Sequence, residues 1–289
     1  MLIGSHTSFA NKQLLGCVQE ALSYGANTFM FYTGAPQNSI RKSIDMEYTK
    51  EAWELMKENN IDIDNVICHV PYIVNLANPK VNEFGTTFLN SEIVRCTHLG
   101  VKKLILHPGS ATGVSKGEGI ENIITCLNKV ITKDMDCIIL LETMSGKGNE
   151  CGSTLEELKE IIDSVILKDK IGVCLDTCHL NDAGYDMSDF DSFLDLFDDL
   201  IGLNKIYCVH LNDSKNELNT HKDRHANIGF GTMSFTTLLN IVYNERLKNV
   251  PKILETPYYE EKAPYKEEIE MLRDKQFNSN LYSSIKENS

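Results

Sequence analysis

Six apolar runs of this chain each end on a histidine or an acid: His69, His107, Glu142, Asp176, His210 and Glu255. The runs are NVICH, KLILH, CIILLE, IGVCLD, KIYCVH and PKILE. Such an ending either ties down a loop as a buried ion pair or faces something positive. Three imidazoles and three carboxylates gathered without a counter-charge would be very costly to desolvate. Mixed donors of this kind suit zinc, or sometimes manganese or iron, better than magnesium or calcium. Six donors exceed the needs of one open zinc site. They point to two ions sharing a bridging carboxylate, an arrangement used for phosphoryl hydrolysis.

Two loops add donors. In IGVCLDTCHL the turn after Asp176 brings His179 over the same place. The stretch LNDSKNELNTHKDRHANIGFG carries Asp223 and His225. Residues two apart in an extended segment face one side, so this pair can grip one ion. Alone, DRH reads as a solvated loop; with His179 it makes a third set of donors. His98 reads as structural and His221 as a loop residue. His6, closing the first strand, stands where it could support the cluster from behind.

The elements that must position these groups alternate along the chain. Strand-type runs fall at 2–6, 27–32, 65–69, 103–107, 137–142, 171–176, 205–210 and 251–255. Helical periodicity follows them at 11–24, 47–59, 86–100, 119–131, 153–165, 189–200, 234–247 and 264–275. Ser153 with Glu156 resembles a capping box, and Gly100 reads as a helix stop. Residues 278–289 are polar and expected to fray. Eight strand–helix units without a compositional break imply an α/β fold, a single-domain (β/α)8 TIM barrel over 1–289. Near-continuous apolar strands fit a parallel sheet covered on its outside. In a barrel all six strand ends meet at the C-terminal rim, where active sites of this fold are built. A doubly wound open sheet is the main competitor.

The chain has 289 residues, and its nine cysteines lack regular spacing. That usage suits a reducing, cytoplasmic setting rather than a disulfide framework. No apolar run is long enough to span a membrane, and the start MLIGSHTSFANK does not read as a signal peptide. The formal charge of −13 argues against nucleic acid at first sight. Bound divalent cations would offset part of it, and much of the acid sits in LDLFDDL, KEEIEM and LEELKE, which read as outer helix faces.

VCLDTCH, VHLNDSK, DRH, HPGS (107–110) and LET (254–256) together resemble the endonuclease IV family of abasic-site nucleases. The likeness runs from GSH near the start to LET, nearly the whole chain. It implies a barrel with three zinc ions, for which manganese or iron could substitute. His69, His107 and Glu142 would hold the first ion. Glu142 would bridge to the second, completed by Asp176, His210 and Glu255. His179, Asp223 and His225 would hold the third. The implied reaction is hydrolysis 5′ to an abasic site in duplex DNA, leaving a 3′-hydroxyl and a 5′-deoxyribose phosphate, with 3′-end phosphodiesterase activity beside it. Glu142 would orient the attacking hydroxide, so no nucleophilic side chain is needed.

For DNA contact, the rim loops offer Lys12, Arg41, Lys42, Lys116, Lys147, Lys215, Lys222 and Arg224 as phosphate partners. Tyr72, in HVPYIVNL, matches a family position that probes the duplex and could wedge between base steps. Gln37 and Asn38, in TGAPQNSIRK, would enter the gap left by the missing base. SGKGNECG (145–152) lacks phosphate-loop spacing and reads as a flexible rim loop. A monomer is expected, with no membrane and no protein partner required. Two other readings stay open: a divalent-metal sugar isomerase or epimerase on the same barrel, and a catalytically silent binder of abasic DNA.

Overall fold

The computed structural model describes residues 1–287. The chain opens with β1 (Ile3–Thr7), α1 (Gln13–Ser23), β2 (Thr28–Phe31) and α2 (Met46–Glu58). β3 (Ile67–His69), α3 (Asn82–Leu99), β4 (Lys103–Leu106) and α4 (Lys116–Val130) follow. Next come β5 (Ile138–Glu142), α5 (Leu155–Ser164), β6 (Ile171–Asp176), α6 (Thr177–Ala183) and α7 (Phe190–Leu200). β7 (Ile206–His210) leads to a two-stranded ribbon, β8 (Asp213–Ser214) with β9 (His225–Ala226). α8 (Phe235–Val242), β10 (Lys252–Leu254), α9 (Tyr265–Asp274) and α10 (Leu281–Glu287) complete the chain.

β1 to β7 and β10 form one closed parallel barrel in which β10 sits between β7 and β1. This is the TIM barrel that the eight alternating units imply, and it excludes the open sheet. Its interior is packed, not hollow: Met30, Ile67, Ile105, Leu140, Cys174, Cys208 and Ile253 fill one buried layer, as such barrels require. That layer is a floor beneath the strand ends. Register sets heights above it: Asp176 pairs across from His210, and His69 across from Ile105. Period-2 alternation then turns Asp176 inward above Cys174, and His210 inward above Cys208.

Several boundaries differ from the sequence reading, each for a local reason. The helix expected at 86–100 begins at Asn82 and stops at Gly100, whose φ of 74° suits glycine. The cap of α5 is Thr154, not Ser153: its hydroxyl accepts from the Glu157 amide, and Glu157 reaches back to the amides of Gly152 and Ser153. The tail expected to fray instead forms α10, which packs beside α9 and buries Leu281 and Ile285 in the core; residues 288–289 lie outside the described residues. The loop 145–152 is pinned rather than free: Glu150 accepts from Ser145 Oγ and the Lys147 amide. The acids of α7 lie on its outer face, as expected, but in KEEIEM Glu267 and Glu268 are buried, Glu268 because it accepts from Asn227, the Ile228 amide and the Thr256 hydroxyl. All nine cysteines are free and buried. Among the described residues no helix is long and apolar enough to cross a membrane.

Candidate metal centre

Glu142 closes β5 at the middle of the rim and is buried. One of its oxygens, Oε2, lies 3.0 Å from His69 Nε2 and 2.9 Å from His107 Nε2. The other, Oε1, lies 3.1 Å from His210 Nδ1. A carboxylate whose two oxygens face separate histidine sets has the shape of a bridge. On the Oε1 side, His210 Nδ1 also lies 2.9 Å from Glu255 Oε2 and 3.8 Å from Asp176 Oδ2. His69, His107 and Glu142 thus gather donor atoms within 4.8 Å of one another, as do Glu142, Asp176, His210 and Glu255. His107 and Glu255 stand one residue past their strands, and both still face inward.

The third set forms differently. His179 sits not on a turn but on α6, started by Asp176 itself, whose Oδ1 accepts from the His179 amide at 2.8 Å. His179 Nε2 lies 3.1 Å from Asp223 Oδ1, and His225 Nε2 lies 3.6 Å from the same oxygen. Asp223 is not extended: its φ is 58°. Asn219 and His221 share that conformation, at 65° and 55°, each at roughly 1 kcal/mol of local strain. The pair converges because the loop is held, not because a strand alternates. Asp176 Oδ2 lies 3.6 Å from His225 Nε2, and it is the donors of Asp176, His179 and His225 that lie within 4.8 Å of one another, with Asp223 reaching His179 and His225 singly.

Proton placement argues that something positive belongs here. His69 Nδ1 meets the Val70 carbonyl at 2.7 Å, His179 Nδ1 that of Thr143 at 2.8 Å, and His225 Nδ1 that of Glu255 at 3.2 Å. A carbonyl only accepts, so each Nδ1 carries the hydrogen. In the neutral ring Nε2 is then a lone pair, and each one faces a carboxylate. Two acceptors face each other stably only with a proton or a cation between them. His225 Nε2 is buried with no hydrogen-bond partner, an atom a cation would satisfy. Backbone-held imidazoles of this kind are how metal-binding histidines are usually oriented.

The electrostatics agree. Burial alone would depress the histidines, but the neighbouring carboxylates outweigh it: His107 is raised, and His179 and His210 stand well above the ordinary histidine pKa. Burial opposes ionisation of Glu142, yet His107 and His210 hold it well below the usual carboxylate range. Glu255 is lowered beside His210, and Asp223 beside His179, against the same opposing burial. Imidazole-rich, carboxylate-completed sets fit zinc-like divalent ions by donor chemistry.

Sequence reasoning missed the residues that hold these groups. Asn212 donates Nδ2 to Asp176 Oδ2 at 2.8 Å and accepts from the Glu255 amide at 2.9 Å, linking two strand ends. Thr143 accepts from the Asp176 amide through Oγ1 while its carbonyl orients His179. Tyr32 packs against His69, and His6 against Tyr32, at ring separations of 4.9 and 5.3 Å. The available signal was position: Thr143 and Asn212 are polar residues just beyond strand ends. His98 is exposed on α3, and His221 is an exposed loop residue bonded to the Ser145 carbonyl.

Around the mouth, Tyr72 follows β3 and is 58% exposed. Gln37 is exposed and Asn38 half-buried after β2; Lys147 is exposed after β5. Lys215 and Arg224 are exposed and joined through their backbones beside the ribbon. Arg41 departs from expectation. Its side chain is buried, with Nε 3.1 Å from Glu92 and Nη1 on the carbonyls of Ala35, Asn38 and Ile40. A guanidinium so engaged braces the loop carrying Gln37 and Asn38 and is not free to meet a phosphate. Lys116 is likewise paired, with Glu157 at 2.9 Å.

A closed parallel barrel with a histidine–carboxylate cluster at its C-terminal rim defines the class. The family model of the xylose isomerase-like TIM barrel matches residues 18–275. Curated relatives narrow this. A probable endonuclease 4 of Acholeplasma laidlawii is 50% identical, with 99% of each chain covered. The probable endonuclease 4 of Bacillus subtilis is 49% identical, with 98% of each covered. The crystal structure of endonuclease IV from Thermus thermophilus superposes with a TM-score of 0.79 at 27% identity over the whole of both chains. A D-tagatose 3-epimerase-like protein, at 19% identity and a TM-score of 0.69, shares the fold alone. The chain belongs to the endonuclease 4 family and is a nuclease.

Proposed function

We propose that this nuclease hydrolyses the phosphodiester 5′ to an abasic site in duplex DNA, using three divalent ions, zinc by donor chemistry. The observation that carries the reading is Glu142, with histidines at both carboxylate oxygens and a third donor set beyond Asp176. His69, His107 and Glu142 would hold one ion; Glu142, Asp176, His210 and Glu255 the second; His179, Asp223 and His225 the third. Bound there, the ions would lower the pKa of water toward neutrality and neutralise phosphate charge.

The chain's own residues supply the rest. Glu142, buried and kept ionised, would accept a hydrogen bond from the attacking hydroxide and aim it. The carbonyls of Val70, Thr143 and Glu255 fix which nitrogen each imidazole presents. Tyr72 would wedge into the duplex, and Gln37 and Asn38 would occupy the gap beside the damaged nucleotide. An abasic sugar has no base to unstack, which favours its entry over that of an intact nucleotide. Lys147, Lys215 and Arg224 would hold flanking phosphates. The same site would trim blocked 3′ ends.

The test is a duplex containing one tetrahydrofuran abasic analogue, incubated with zinc-replete protein. A single cut 5′ to the analogue, leaving a 3′-hydroxyl, is expected; an uncut strand sinks the assignment. Glu142→Gln separates catalysis from binding alone, because a silent binder would lose nothing.

A further inference from the structure

We propose that Asp182 is the positioning residue for Asp223 and His225, and that through them it decides whether the third ion is held. The inference rests on the three-ion reading and deepens it. α6 carries His179 into the cluster, and three residues on the same helix carries Asp182, which is fully buried. The last carbonyls of a helix lack partners inside it. Here the 219–223 loop supplies them: the Asn219 amide donates to the Asn181 carbonyl at 3.0 Å, and the His221 amide to the Asp182 carbonyl at 2.9 Å. One step further along, the Asp223 amide donates to Asp182 Oδ2 at 2.8 Å. These are the residues of this loop with left-handed backbone, so each unusual φ here is matched by one amide turned toward α6. Gly184, at φ 106°, makes room, because a Cβ there would stand 2.9 Å from Asn219 Oδ1.

The far side of the pair is tied to the same carboxylate. Ser214, which pairs with His225 in the ribbon, donates its hydroxyl to Asp182 Oδ1 at 2.8 Å. Asn216 donates to Oδ2 at 2.8 Å, and Asn181 to Oδ1 at 3.2 Å. Every acceptor site on Asp182 therefore points at the loop, the ribbon or its own helix. One short helix delivers one candidate ligand of the third set and sets the geometry of the other two, without needing the ion itself.

The experiment is metal analysis of the full chain loaded with Zn2+ and gel-filtered. Asp182→Asn keeps the size of the side chain but turns one acceptor into a donor, so one group of amide and side-chain donors must face an N–H. Wild type is expected to retain three zinc ions and Asp182→Asn two. Cleavage of the tetrahydrofuran duplex should fall about 10- to 100-fold and recover with added Zn2+, a rescue that a folding defect would not show. Asp186→Asn, at an exposed carboxylate just past α6 that accepts from the Ser188 amide, should retain three ions. Equal zinc content and equal release to a chelator in wild type and Asp182→Asn would overturn the inference while leaving the three-ion reading intact. Fewer than three ions in wild type would overturn both. Should Asp182→Asn not fold, hydrogen exchange of wild type decides: amides 221 and 223 should stay protected after zinc is stripped, and their exposure would overturn the proposal.

Discussion

Two clusters of buried charge lie in this barrel, and they differ in which groups face one another. Behind the loop after β2, Glu92 accepts from Arg41 and from the Thr33 hydroxyl, and Arg95 lies 3.9 Å away. Donors there meet acceptors, and the guanidiniums spend their remaining hydrogens on backbone carbonyls, with only Arg41 Nη2 and Arg95 Nε left over. At the rim, five histidines meet four carboxylates, and His69, His179 and His225, each with Nδ1 on a backbone carbonyl, turn Nε2 toward an anion. The first cluster sets cationic donors against a carboxylate and backbone carbonyls, and holds a loop. The second sets imidazole nitrogens against carboxylates, pairs that a proton or a cation must join. Buried ionic groups are therefore not interchangeable evidence of function; what separates these two is whether acceptors face donors or one another.

That contrast can be broken most sharply by removing divalent ions. Chelation should abolish cleavage and lower the melting temperature, because each ion held at a thousandfold above its Kd adds about 4 kcal/mol. An unchanged melting curve and full activity after exhaustive chelation would erase the distinction. Next in size, Glu142→Gln should reduce the cleavage rate by about a thousandfold or more, with abasic DNA still bound in a gel-shift assay. Glu92→Gln should behave in the opposite way, costing about 3–5 kcal/mol by leaving Arg41 and Arg95 buried without a counter-charge. Denaturant titration should give that loss equally with and without zinc. A zinc-dependent loss would mean that the two clusters are coupled. Tyr72→Ala should leave stability untouched and weaken binding to abasic duplex by about 1–2 kcal/mol, read from equilibrium titration. Smallest, Lys147→Ala or Lys215→Ala should each lower the slope of log affinity against log salt by about one. Arg41→Ala should not change that slope, since its guanidinium is committed inside the protein.

Much of this was legible from the chain itself. The strand ends could be read because an apolar run must stop where it leaves the core, and the parallel barrel sends all such stops to one face. His69, Glu142, Asp176 and His210 are the last residues of their strands, while His107 and Glu255 overshoot by one. The tail was misread because Leu281 and Ile285 look isolated in a polar stretch, and only the packing of α10 beside α9 makes them core. Arg41 was misread for a similar reason: its partner Glu92 is 51 residues away.

Residue types, their strand-end positions and the alternation of strand and helix were enough to determine the barrel, the rim and the candidate donors. Those features depend on covalent neighbours and on period-2 or helical spacing, which a chain carries before it folds. Only the tertiary structure decided which imidazole nitrogen faces the cluster, that Glu142 turns one oxygen to each side, and how Asp223 is held. Each of these is set by a hydrogen bond between residues far apart in sequence, such as Asp182 to Asp223, 41 positions on. Bonds of that reach exist only once the barrel has closed and brought the loops together above it.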